Sequence, residues 1–353
     1  MSVRVLPLSD LSDDHRSNWD AIIRQSVTLD SPYFRRAFCE AVDAVRGGVE
    51  VAVLDDGRGF LPFERDGRHG FPVARVLSDY QAVIADDGFR FDPRAVLRAA
   101  GLRSLSLDHL LAGQDDFADF HERGDCSPFL SVAGGEEAYL KTVGKSGRSM
   151  LRTSQRKARK MEREVGPLRL TYRAADDEAL RQLIDWKGRQ YEQSGLPNVL
   201  AADWTVALFE RLLQSDDPDF GGVLTTLHAG DRLAAVHLGM RAGGVLHWWF
   251  PTYDDSLGAY SPGMALLCGL VERADEFGVS KIDLGKGMSD YKRRLMSGGV
   301  PLSEVIVEPH GLGRAARKAA AAGKDWLKQT PLRGPLSAPA RWLFHWKTRR
   351  ALR

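Results

Sequence analysis

Cysteine is scarce in this chain: three occur in 353 residues, at Cys39, Cys126 and Cys268. They are odd in number, far apart and without metal-ligand spacing, which argues against a disulfide framework and for a reducing compartment. No metal is expected. A run of about 18 apolar residues is also missing, so no spanning helix is expected. Met1 to Pro7 lacks the apolar stretch of a signal peptide, and the cytoplasm is the expected location. Charge of one sign is missing overall, the formal net being +2.

What is present is the composition of a soluble globular chain, 43% apolar and 27% charged, long enough for two domains of about 150 residues. The most informative stretch is Tyr260-Ser261-Pro262-Gly263. It follows a strand rich in aromatic residues, Val245 to Phe250, and precedes a helix carrying Met264, Leu267, Leu270, Val271 and Ala274 and stopping at Gly278. Ser261 suits the N-cap and Pro262 the first helical position. Gly263 leaves the first turn open to close approach, as a phosphate-binding helix N-terminus requires. Val279 to Leu284 reads as a strand broken by Gly285-Lys286-Gly287. Strand, capped helix and strand form a crossover unit whose ligands favour the carboxyl ends of the strands. This region holds neither Gly-x-Gly-x-x-Gly nor a Walker A spacing, so a dinucleotide or nucleoside-triphosphate loop is not supported.

Tyr260-Ser261-Pro262-Gly263, its helix, Ile282-Asp283-Leu284-Gly285-Lys286-Gly287 and Tyr291-Lys292 resemble, in order and spacing, the CelD/BcsL (BioF2-like) branch of the GNAT acyltransferases. That branch is similar in architecture to the FemABX peptidyltransferases and is associated with exopolysaccharide and cellulose production. The resemblance covers the layout of residues 30 to 300 and implies an α+β (mixed α/β) fold of two tandem GNAT-like domains, the first degenerate. It implies acetyl-CoA or another acyl-CoA as donor and an amine or hydroxyl acceptor, on a small molecule or a glycan. Residues 1–140 are expected to form the first domain, 141–165 a basic linker helix, 166–305 the competent domain and 306–353 a tail. Two other readings stay open: a FemABX-like aminoacyl transfer, against which stands the lack of a long helical insertion, and a non-catalytic scaffold for polysaccharide assembly.

Acyl transfer asks for a positioned acceptor, a polarised carbonyl, a proton acceptor and an acid for the departing thiolate. Tyr291 is the candidate acid, on the resemblance. Asp283 and His237 are candidate bases, although a buried strand aspartate equally serves as a structural hydrogen-bonder and a lone histidine on an apolar strand is usually a satisfied core residue. Tyr260, Ser261, Gly263, Met264 and Lys292 are candidates for holding the donor. Asp79, Tyr80, Arg148, Arg152 and Trp248 are candidates for the acceptor side. No Ser-His-Asp or Cys-His set stands out, so a covalent acyl-enzyme is not expected.

The first half repeats the theme. Ser31-Pro32-Tyr33-Phe34 opens a helix, hairpin strands follow, and a helix capped by Asp92 and stopped by Gly101 leads into a strand at Leu105. Two basic stretches complete the reading. Lys141 to Arg163 is read as a solvated helix after a hinge at Gly144 to Gly147, without the interleaved aromatics of nucleic-acid binding, so no nucleic-acid partner is expected. Residues 311–353 hold eleven Lys or Arg against one acid, Asp325, with Trp326, Trp342, Phe344 and Trp346 among them. Peripheral contact with an anionic membrane, at its inner face, is the expectation there.

Overall fold

The computed structural model describes residues 1–309. The expectation for the basic tail from 311 onward lies outside the described residues. The first half runs β1 (Val3–Pro7), α1 (Asp13–Gln25), α2 (Arg36–Arg46), β2 (Val49–Leu54), β3 (Gly59–Asp66), β4 (His69–Phe71), β5 (Ile84–Ala85), α3 (Pro93–Ala100), β6 (Ser104–Leu111) and β7 (His121–Ser131). Two connecting helices follow, α4 (Gly135–Thr142) and α5 (Lys145–Glu164). The second half runs β8 (Leu168–Tyr172), α6 (Asp177–Ser194), α7 (Asp203–Leu213), β9 (Phe220–Ala229), β10 (Arg232–Ala242) and β11 (Val245–Tyr253). It ends with α8 (Pro262–Glu272), β12 (Lys281–Asp283), α9 (Asp290–Leu295) and β13 (Gly298–Val307).

The strands form one sheet in the order β1-β2-β3-β4-β6-β13-β7-β12-β11-β10-β9-β8, with β5 alongside β3. This order shows the duplication. β1, β2, β3, β4 and β6 on one side are mirrored by β8, β9, β10, β11 and β12 on the other. Both halves are antiparallel except at one matching pair: β4 runs parallel to β6, and β11 parallel to β12. At the centre the last strands change places. β13 pairs with β6 of the first half, β7 pairs with β12 of the second, and β7 and β13 pair with each other.

Local chemistry explains the element ends. The Asp92 carboxylate accepts the Arg94 N–H at 2.9 Å and Pro93 takes the first helical position, while Gly101 closes α3 at φ 64°. Asp176 caps α6 by accepting the Ala179 N–H at 2.9 Å, and Gly195 closes it at φ 63°. One apolar core packs α1, α2, α6 and α7 on one face of the sheet, with Trp19, Phe38, Leu183 and Phe209 fully buried. The opposite face carries two cores, one under α3 and one under α4, α5 and α8.

Three expectations need correction. Ser31 to Phe34 is a 3-10 turn, its Ser31 hydroxyl accepting the Tyr33 N–H, and the extended Arg35 separates it from α2. The α8 helix ends at Glu272, and turns carry the chain to Gly278. The 141–165 segment is largely solvated, but it is not hinged across Gly144 to Gly147, because Gly144 is the N-cap and α5 already begins at Lys145. Gly147 is buried inside α5, where a Cβ would lie 2.2 Å from the Arg294 carbonyl oxygen. Backbone against backbone at that distance excludes any side chain, and Leu151 and Met161 seal the same face against the core.

Because β7 and β13 are exchanged, neither half holds its own complete sheet. Residues 1–143 and 144–353 expressed separately are expected to be unfolded or insoluble, and to yield a soluble one-to-one complex when co-expressed. A fragment that melts cooperatively on its own would show that the exchange is dispensable.

Candidate functional site

The two parallel strands β11 and β12 stay paired for three residues, with His247 opposite Asp283 as the last pair. Beyond it β11 continues to Tyr253 while β12 gives way to Leu284-Gly285-Lys286, so the sheet opens between them. A group of buried charges sits at the point of parting. The His247 ring lies between two carboxylates, Nε2 at 3.2 Å from Asp79 Oδ2 and Nδ1 at 3.6 Å from Asp283 Oδ1. Asp79 comes from the first half and Asp283 from the second. Asp283 also accepts the Ser127 hydroxyl at 2.9 Å, the Gly285 N–H at 2.8 Å and the Tyr80 hydroxyl. Asp79 accepts the Lys286 N–H at 3.2 Å and has the Lys286 ammonium at 3.4 Å.

Burial by itself would favour protonation of both carboxyls. Lys286 and His247 overcome it at Asp79, and His247 and Tyr80 at Asp283, holding both well below the usual carboxylate range. Burial also pulls the His247 imidazole down, but Asp283 and Asp79 win and raise it to about 9. It is therefore a cation at neutral pH. The Tyr80 phenol is pushed far up by burial and the Asp283 charge, so it stays a proton donor. Tyr33 packs edge-on against His247 at 5.1 Å and closes the cluster.

Next to this cluster, on the other face of the sheet, lies a second set. His237 stacks on Trp248 at 4.0 Å, and Tyr291 packs against the same core that holds Trp248. Burial lowers His237 to about 3 and raises Tyr291 to about 12, so both are uncharged at neutral pH. Across the sheet, Lys187 of α6 reaches β11. Its Nζ donates to the Pro251 carbonyl at 3.0 Å and to Gln190 Oε1 at 3.3 Å, and burial pulls it down to about 8.

At the far end of the opening stands the N-terminus of α8. Ser261 does not cap it with its side chain: it takes a left-handed conformation at φ 55°, and its hydroxyl accepts from Lys157 Nζ at 2.9 Å. Met264 and Ala265 both donate to the Ser261 carbonyl. Pro262 has no N–H, and the Gly263 N–H, in the first turn, has no backbone acceptor among the described residues. Gly263 faces Tyr253, whose ring a Cβ would meet at 3.3 Å. Residues 148–293 match the Acetyltransferase (GNAT) domain family.

This GNAT match covers α5 to α9 and leaves out the first half. No curated protein matches the chain. Among solved structures, the C-terminal domain (DUF2156) assigned to a lysylphosphatidylglycerol synthetase from Agrobacterium fabrum is similar at 15% identity and TM-score 0.54, over 88% of this chain and 95% of that one. FemX is similar at 11% identity and TM-score 0.54, over 86% of this chain and 96% of that one. These likenesses establish a shared mixed α/β GNAT fold.

The structure thus joins Asp79, Tyr80 and Asp283 directly, and His237, Trp248 and Tyr291 beside them. Other candidates are engaged elsewhere. Lys292 caps the loop after β12, donating to the Gly285 and Lys286 carbonyls at 3.1 and 2.8 Å, so it does not point to a phosphate. Arg148 holds the end of α4 through the Leu140 and Val143 carbonyls at 3.1 and 2.8 Å. Arg152 lies on the solvent side of α5. Tyr260 donates to Glu164 at 2.8 Å at the rim of the α8 entrance, and Met264 packs into the core below it. Sequence reasoning missed His247, Lys286, Ser127, Lys157 and Lys187. Lys187 did leave a signal: it shares the face of α6 that carries Leu180, Leu183 and Tyr191 at i, i+3 and i+11, where a lysine is out of place.

Removing the central cation leaves two buried carboxylates facing each other. The variant His247→Leu is expected to lose about 3–5 kcal/mol of stability in urea denaturation. In the unmodified protein the raised His247 pKa contributes stability in full below ~6.5, and this is lost as pH rises through about 9. The lowered carboxylates contribute above ~4 and fail in acid. Denaturation midpoints should therefore decline from pH 7 to 9.5; a flat profile would show that His247 is uncharged.

Proposed function

We propose that this chain is an acyl-CoA-dependent acyltransferase, using the second half for the donor and the seam between the halves for the acceptor. The observation that carries this reading is the parting of β11 and β12 immediately beyond His247 and Asp283, with an uncapped, glycine-opened helix N-terminus at its outer end. A bound acyl-CoA would supply a reactive thioester carbonyl and a thiol leaving group. Gly263, Ser261 and Lys157 would hold its pyrophosphate, the free N–H and the helix dipole facing the negative charge. Lys160, 5.8 Å from the centre of the Tyr260 ring, extends the same positive rim.

The acceptor is assigned to the two adjoining clefts of about 750 and 540 Å³ that share Leu111 to Asp115 and Pro301. The larger ends at Asp125 and Cys126, next to the Ser127 that bonds Asp283. Six carboxylates line the clefts, Asp30, Asp86, Asp87, Asp115, Asp116 and Asp125, against the cations Arg90 and Lys281, and this excess of acid favours an amine over an anionic acceptor.

Protonation states distribute the roles. Asp283 has its oxygens occupied and its proton affinity depressed, so it positions rather than accepts. Lys187 is the favoured base. Two acceptors satisfy two N–H bonds of a neutral amine, and the lone pair is left for a proton from the attacking group. Tyr291, protonated at neutral pH, would donate to the departing thiolate. The acetyl donor, the CelD/BcsL affiliation, a role in envelope polysaccharide and a peripheral tail contact complete the proposal as expectations from sequence.

Calorimetry with acetyl-CoA tests the donor site. Binding in the micromolar to millimolar range is expected, and Gly263→Leu should weaken it at least tenfold with the melting temperature retained. Unchanged binding by that variant would remove the loop assignment, and no binding of any acyl-CoA would remove the enzyme reading. For the base, kcat/KM should rise with pH through about 8, the pKa of Lys187. Lys187→Met should lower it by about 10²–10⁴-fold and flatten that limb; a rise that persists in the variant would assign the proton to another group.

A further inference from the structure

We infer that α5 carries a second function on its outer face: a stripe of arginines that docks the protein on an anionic lipid surface. The helix turns about 100° per residue, and its cations divide into two sets on that geometry. Lys157 and Lys160 lie on the flank next to Ser261 and Tyr260, within the donor entrance. Arg152, Arg156, Arg159 and Arg163 recur at i, i+4, i+7 and i+11, opposite the buried Leu151, Ser154 and Met161. All four are exposed, and Lys145 and Ser149 extend the line toward the helix start. They face away from the donor entrance and are not used by it.

What distinguishes this stripe is the alignment of arginines without carboxylate partners. Many arginines elsewhere sit on carboxylates, as Arg16 on Glu40, Arg90 on Asp116, Arg232 on Asp254 and Arg294 on Asp290. Others, such as Arg24, Arg169 and Arg211, form no ion pair with the described residues but are scattered over separate elements. Among the described residues, none of Arg152, Arg156, Arg159 and Arg163 forms an ion pair, and the one pair within α5 joins Lys160 to Glu164 on the flank. From Arg152 to Arg163 the uncompensated charge runs straight for about 16 Å along the axis. It lies on a convex helix rather than in a groove. A plane of phosphates matches a straight convex row, with guanidinium groups suited to phosphate oxygens. A nucleic acid is the less favoured polyanion, because no aromatic side chain interrupts the row to stack on bases. The other strongly basic stretch, 311–353, interleaves Trp and Phe with its cations, the composition of a segment suited to a lipid interface.

The full-length chain and its triple variant R156Q/R159Q/R163Q would be sedimented with vesicles of phosphatidylcholine alone and of phosphatidylcholine with 30% phosphatidylglycerol, at two salt concentrations. Each basic residue near an anionic surface is worth about fivefold in partitioning. The variant should therefore bind anionic vesicles about a hundredfold more weakly at an unchanged melting temperature, and binding of the unmodified chain should fall steeply with salt. Equal partitioning of the two proteins would overturn the proposal, as would equal binding to neutral vesicles. Displacement from the vesicles by duplex RNA at physiological salt would reassign the stripe to nucleic acid.

Discussion

A histidinium held between two buried carboxylates is the constraint on which this structure turns. Three charges out of water are tolerated because each is answered at close range: His247 by the two carboxylates at 3.2 and 3.6 Å, Asp79 also by Lys286, and Asp283 by hydrogen bonds from Ser127, Tyr80 and Gly285. Any one of them alone would be expelled or neutralised. Their sources are spread across both halves and several elements, so the cluster can exist only when the whole sheet is assembled. It also lies where β11 and β12 separate, and its rigidity fixes the closed end of the opening.

The exchange of β7 and β13 explains why a degenerate first half persists physically. β7 carries Ser127 to Asp283 and supplies the antiparallel neighbour of β12. Without it β12, three residues long, would present an open edge beside the charges. The first half also supplies Asp79, Tyr80 and most of the cleft lining. It has no counterpart of the Ser-Pro-Gly loop, and its part in the structure is that of a wall to the clefts and an anchor to the charged cluster.

Much of this was legible in the residues. The position of the Ser261-Pro262-Gly263 loop, the Asp92 cap and the repeated element order follow from local signals that stay local in the fold. The misses have a common cause. Lys292 was read as holding the donor and Arg148 as facing the acceptor, because a cation near a ligand loop invites that, yet each caps carbonyls of the chain next to it. His247 was hidden because pairing it with Asp283 requires the parallel register of two strands separated by a helix, and pairing it with Asp79 requires the other half of the molecule. Ser261 shows the finer limit: its position before Pro262 was legible, its left-handed conformation was not. The hydroxyl that would have capped the helix instead meets Lys157.

The same electrostatics that stabilise the seam decide where proton chemistry can occur. A carboxylate that accepts from Ser127, Tyr80 and Gly285 and faces a cation has little affinity left for a proton, so Asp283 is spent on structure. His247, already protonated, cannot take one either, and His237 is too desolvated to hold one. Across the sheet from His237, basicity near neutral pH is left to Lys187, which has burial without a carboxylate partner and two carbonyl acceptors that suit a neutral amine. The charges at the seam and the amine on α6 are thus complementary: ionic pairing makes the first group rigid and inert, and its absence leaves the second able to react.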